Sequence, residues 1–210
     1  MTTPAERERI FLGVARLFAF VSEGLAAATA AFVDQDRSSA ASLLDAEPVI
    51  DALRLTVEDL AQSLIVERAS LTNSEVRFLV SVLRIVPELE RSADLVEHIA
   101  LRTGVLTSGL PDDVRSLIAE MGHSAAAMWR TAGEAWAKGD ASMLAPLEES
   151  DDAIDDLHVR LTERLSSLPL TTPEAIELGL VARFFERLGD HAVNVTSRLQ
   201  FLEPVLQPTG

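Results

Sequence analysis

The sequence predicts an all-α fold, a tandem repeat of two antiparallel three-helix bundles made of six long helices. Three observations lead there: a residue mix that favours helix, helix-start signals recurring along the chain, and a second half that repeats the first. Of the 210 residues 48% are hydrophobic but only 5% aromatic, with no Tyr and abundant Ala and Leu. Strands lean on aromatic and β-branched residues, so this mixture points to helix. The apolar content is high enough to build a core rather than leave a disordered chain.

Each helix has its own start signal. Thr3-Pro4-Ala5-Glu6, Thr72-Asn73-Ser74-Glu75 and Thr171-Thr172-Pro173-Glu174 read as capping boxes, in which a hydroxyl and a carboxylate reciprocally satisfy backbone donors. Pro111-Asp112-Asp113 places Pro and two acids where the helix macrodipole favours them. The remaining breaks lie in 33–40 and 138–143, around Asp34-Gln35-Asp36 and Lys138-Gly139-Asp140. Between these marks apolar residues recur at helical spacing, as in Val76, Leu79, Val80, Leu83, Val86, Leu89 and Ala93. The predicted helices span 5–34, 37–70, 74–104, 111–137, 140–166 and 173–202, with a helix stop and short tail at Leu202–Pro208. Helices of roughly 40–45 Å bundle naturally in antiparallel fashion.

The repeat shows as fixed offsets. Ala31-Phe32 and Asp36 match Ala135-Trp136 and Asp140 at 104 residues, as do Glu47, Ile50, Asp51 and Leu53 with Asp151, Ile154, Asp155 and Leu157. Further on the offset is 96, aligning Leu89-Glu90-Arg91-Ser92-Ala93-Asp94 with Phe185-Glu186-Arg187-Leu188-Gly189-Asp190. The second unit is therefore eight residues shorter, and a helix–helix loop is where that loss is expected. The units are expected to divide as 1–106 and 107–210.

Charge and residue usage exclude several functions. A net charge of −15 disfavours direct nucleic-acid binding. With no cysteine there is no disulfide, thiolate metal site or thiol nucleophile. Any metal must be held by oxygen, helped at most by four histidines. The polar N-terminus lacks the layout of a signal peptide, and no apolar run is expected to reach bilayer-crossing length, so a cytoplasmic location is expected.

The acids that carry information are those repeated in both halves. Glu47/Asp51 with Glu90/Asp94, and Asp151/Asp155 with Glu186/Asp190, are i, i+4 pairs at corresponding positions. Each pair shares a helix face at some cost in like-charge repulsion. One such pair is commonplace on a solvated face, but the repetition predicts four carboxylates converging across a groove in each unit, an arrangement that needs cations. Glu186, Asp190 and Asn194 form one row of oxygen ligands suited to Mg²⁺, Mn²⁺ or iron. Gly189, within a helix, suggests close approach of a neighbour or ligand. The first unit offers Glu90, Asp94 and His98 in the same row.

At these residues the sequence resembles the PhoU family. Phe185-Glu186-Arg187-Leu188-Gly189-Asp190-His191-Ala192-Val193-Asn194-Val195 is close to that family's E-R-I-G-D-H-A-x-N-I, and Asp151-Asp152-Ala153-Ile154-Asp155-Asp156-Leu157 to its D-x-x-I/V-D-x-L. The first-half stretch Leu89–Asp94 follows the pattern more loosely, with Ser92-Ala93 for Ile-Gly, His98 for Asn and Glu47 for Asp. The resemblance implies two three-helix bundles with surface motifs that hold iron, zinc or other metals, Mn and Mg included. It further implies a negative regulator acting between a phosphate ABC transporter and a sensor histidine kinase, peripheral to the membrane through those partners. Residue by residue it implies Glu47, Asp51, Glu90 and Asp94 for the first site. The second would use Asp151, Asp155, Glu186, Asp190 and Asn194. A homodimer is the expected assembly, and no catalysis is expected.

Two other readings stay open on the sequence. A carboxylate-bridged metal enzyme needs a Glu-x-x-His motif from each of two helices; Glu120–His123 is one, and Asp155–His158 only approximates a second. A metal-free helical adaptor would use the acids only as a charged surface. Trp129 and Trp136, seven apart, are expected to be core or interface anchors.

Overall fold

The computed structural model describes residues 2–45, 47–105 and 109–200, so the expected tail at Leu202–Pro208 lies outside the described residues. The described chain forms α1 (Pro4–Asp34), α2 (Arg37–Leu44), α3 (Glu47–Glu67), α4 (Asn73–Leu101), α5 (Asp112–Lys138), a 3-10 turn (Ala141–Met143), α6 (Leu144–Ser166) and α7 (Thr172–Leu199). No strand occurs among the described residues. Helices α1, α3 and α4 pack together, as do α5, α6 and α7; the halves join along α1–α5 and α4–α7.

All three predicted capping boxes form with both arms in place, at Thr3, Thr72 and Thr171. α1 and α5 end alike. Gln35 (φ 56°) and Gly139 (φ 64°) adopt the left-handed conformation and turn their N–H groups back to the helix-end carbonyls. That conformation is easy for glycine and costly for glutamine, and Gln35 offsets part of the cost with a side-chain bond to the Phe32 carbonyl, 2.7 Å.

Three expectations are corrected. The segment 37–70 is two helices: α2 ends at Leu44 and α3 starts at Glu47, which puts Pro48 in a first turn, where its missing N–H costs no helical bond. The eight-residue difference between the units is not in the loop: 68–72 and 167–171 are both five residues long. By the repeat alignment, α3 runs five residues further than α6, and α4 starts three residues earlier than α7. A helical hairpin can shorten at its tip without shifting the register of the side chains behind it. Finally, α1 is long and apolar enough, by length and composition, to cross a membrane. Only Glu23 is charged between Arg16 and Asp34. One face of α1, from Ile10 through Leu17, Leu25 and Phe32, is buried in the core.

The tryptophans anchor that core. Both are fully buried. Trp136 stacks on Phe11 (5.3 Å between centroids) and donates to the Phe11 carbonyl at 3.1 Å. Trp129 lies 6.1 Å from Phe18 and donates to the Leu188 carbonyl at 3.0 Å, tying α5 to α7. α1 packs tightly on α5 at Gly122, where an added Cβ would lie 2.2 Å from Thr29 Cγ2 and 2.8 Å from its Cβ. Gly122→Ala is expected to cost about 1–3 kcal/mol through overpacking, despite alanine's better helix propensity. The denaturation midpoint should fall at constant m; a raised midpoint would contradict this contact.

Candidate functional site

In the second half, Asp151 and Asp155 sit on α6 and Glu186 and Asp190 on α7, the two helices packed side by side. Gly189 is what lets Asp151 in. A Cβ at 189 would lie 2.3 Å from Asp151 Oδ1 and 3.5 Å from Ile154 Cδ1. Burial, followed by repulsion from Asp190, Asp155, Glu186 and Asp152, pushes the Asp151 carboxyl up to about 6. Burial also raises Glu186, opposed by Arg183 and reinforced by Asp190 and Asp155. Asp151 Oδ1 and Glu186 Oε2 are both buried without a hydrogen-bond partner. Buried acceptors left unsatisfied are rare and costly. Arg183, one turn before Glu186 on α7, bridges to it.

The first half has the same plan with a different filling. Glu47 and Asp51 on α3 and Glu90 and Asp94 on α4 line a cavity of about 280 Å³, with Glu23 from α1 and Glu97 completing the acids. Burial raises the Glu90 carboxyl, with Asp94 and Asp51 adding to the rise and Arg54 opposing it. Glu97 rises by burial, reinforced by Glu47 and Asp94 and opposed by His98. Arg54 Nε lies 3.6 Å from Asp51, while its terminal nitrogen bonds Glu58 at 2.9 Å. Ala93 stands where the second half has Gly189, and it lines the cavity. Glu47, the counterpart of Asp151, is exposed.

Ser92 also has a use. Its hydroxyl donates to the Glu88 carbonyl at 2.6 Å and lies 3.0 Å from His191 Nδ1. This is a buried polar joint between α4 and α7, and burial, with the nearby Arg187 and Arg91, holds His191 below its usual range against the pull of Glu88 and Asp190.

The acids predicted for each unit do lie on adjacent helices, but the predicted convergence of four carboxylates is not seen among the described residues, and further groups surround them. Glu97 was legible as the i+7 continuation of Glu90 and Asp94; Glu23, Arg54 and Arg183 gave no repeated signal. Asn194 is exposed on α7, and no hydrogen bond joins its side chain to the acids. His98 lies against Phe184, 5.5 Å between ring centroids. Exposed His123 contacts its own helix at the Ala119 carbonyl, 2.7 Å, rather than a partner motif near His158. Among the described residues no three Asp, Glu or His side chains lie close enough, as placed, to ligate one ion. The donor set itself is all oxygen, and the two orphaned oxygens of the second site fit a hard cation.

A family model described as the PhoU domain matches residues 14–103 and 118–199. The Mycobacterium tuberculosis protein named phosphate-specific transport system accessory protein PhoU homolog 1 is 32% identical over 186 residues, covering 87% of this chain and 84% of that protein. Among solved structures, PhoU from Pseudomonas aeruginosa superposes with a TM-score of 0.87 at 21% identity, covering 96% of this chain and 98% of that one. PhoU from Streptococcus pneumoniae gives 0.84 at 22% identity, covering 95% of each. These two likenesses are of fold.

Proposed function

The chain belongs to the PhoU family, and from that premise we propose that it is a non-catalytic negative regulator of phosphate uptake and signalling. It acts between a phosphate ABC transporter and a sensor histidine kinase, in the cytoplasm, as a homodimer that reaches the membrane through its partners and binds no nucleic acid. The observation that carries this reading is the match of both repeats to relatives named as accessory to phosphate-specific transport.

In the same reading, divalent or iron-type cations bind at Asp151, Asp155, Glu186 and Asp190, and at Glu47, Asp51, Glu90 and Asp94. A cation at the second site would satisfy Asp151 Oδ1 and Glu186 Oε2 and relieve the repulsion that raises Asp151. Arg183 engages Glu186 Oε1 and so leaves Oε2 as the oxygen available to a cation. The absence of a ready three-ligand cluster among the described residues favours, as a second reading, a metal-free adaptor whose acids meet a basic partner. Deleting the gene in its source cell should derepress phosphate-uptake genes when phosphate is plentiful; unaltered expression would count against the regulatory role.

A further inference from the structure

We propose that the seam between α4 and α7 binds a small, multiply charged oxyanion of the phosphate type, held by Arg77, Arg84 and Arg198. The chain has 33 acidic residues against 18 basic ones, so a surface where arginines outnumber carboxylates is unusual for it. Arg77, Arg84 and Arg91 recur every seven residues along α4, close to two helical turns, and so share one face. That face is distinct from the one carrying Glu90 and Asp94. Arg198 reaches it from α7, donating to the Arg84 carbonyl at 2.9 Å and to Glu88 at 3.2 Å.

The arrangement leaves positive charge unbalanced. Glu88 is shared by Arg198 and Arg91, while neither Arg77 nor Arg84 forms a salt bridge among the described residues. Arg77, Arg84 and Arg198 line a cavity of about 110 Å³ with Val80 and Ser81, and no acid enters it. A space of that order admits a few waters or one tetrahedral oxyanion. The Ser81 side chain, on a residue only 6% exposed, also lines the cavity. It supplies a neutral donor beside the guanidinium forks, whose planar geometry matches phosphate oxygens.

Pro87 lies beside the site. Lacking an N–H, it leaves the Leu83 carbonyl without its helical donor. The adjacent Arg84 carbonyl receives Arg198, which fixes that guanidinium before any ligand arrives. This site does not depend on cation binding at the carboxylates.

Calorimetric titration of the full chain with sodium phosphate tests it. Phosphate should bind saturably, sulfate should compete and chloride should not. Arg77→Ala/Arg84→Ala should weaken phosphate binding by about tenfold or more. Both residues are exposed, so the unfolding curve should be unchanged, and Arg130→Ala should bind as the parent does. Glycerol phosphate separates two sources of the same chemistry. Equal affinity assigns the site to phosphomonoesters, such as lipid headgroups, and preference for the free ion assigns it to phosphate. No saturable binding of either at millimolar concentration, or undiminished binding by the double variant, would overturn the proposal.

Discussion

Replacing Trp129 with alanine is expected to cost about 3–5 kcal/mol of folding stability, the upper range for truncating a buried side chain. Trp129 is fully buried, packs near Phe18 of α1 and donates to the Leu188 carbonyl of α7. It therefore belongs to both halves, and its removal opens a cavity where they join. For a chain of this size the loss amounts to roughly ten degrees in Tm. Trp129→Phe should cost less, because the ring volume is largely kept and only the indole donor is lost. Urea unfolding of both variants is the measurement. A loss below about 1 kcal/mol in the alanine variant, outside the usual range for a buried aromatic, would be incompatible with this packing.

The second large effect concerns pH and cations. Asp151→Asn is expected to stabilise the metal-free protein near neutral pH by about 1 kcal/mol, roughly 2–4 °C in Tm. The Asp151 carboxyl is raised from 3.8 to about 6 by burial and its acidic neighbours. The native state thus keeps this proton to higher pH than the unfolded chain does. The group's contribution is complete below pH 3.8 and is lost as pH rises through about 6. A full conversion would give about 3 kcal/mol, but Asp151 is only half-buried and solvent screening leaves a fraction of that. Below about pH 4 the substitution should do little.

Added divalent cation should narrow or reverse the difference, raising the Tm of the parent protein more than that of Asp151→Asn, which keeps only the first-half site. Metal analysis of protein purified without chelator, repeated on Asp94→Ala and Asp190→Ala, reads the same sites directly. Metal content unchanged in both variants would remove the carboxylate assignment, and an Asp151→Asn variant no more stable than its parent at neutral pH would remove the strained-carboxylate account.

Local features were legible in the sequence and distance-dependent ones were not. The Thr3, Thr72 and Thr171 caps are written within four residues, so they read directly. The acid pairs on adjacent helices were legible because duplication displays each pair twice, whereas the predicted convergence is not seen among the described residues. Pro48 lay in view but its effect depends on the turn before it, and the hairpin shortening is visible only when helix ends are compared with the repeat alignment. Arg183 and Arg54 were missed because the repeat provides no counterpart: proline stands at 87 and histidine at 158. Each half neutralises its acids with a different arginine from a different helix, and pattern matching between halves cannot find what the halves do not share.

The Ser92–His191 joint has a consequence for the history of the duplicated chain. The first half carries leucine where the second has His191, at Leu95, and the second carries Leu188 where the first has Ser92. A protein assembled from two second halves would bury an imidazole against leucine, and one assembled from two first halves would put leucine against the serine. The halves are no longer interchangeable. Ser92 and His191 fit each other across the two halves, so the departure of Ser92 from its sister motif has a structural use at their joint.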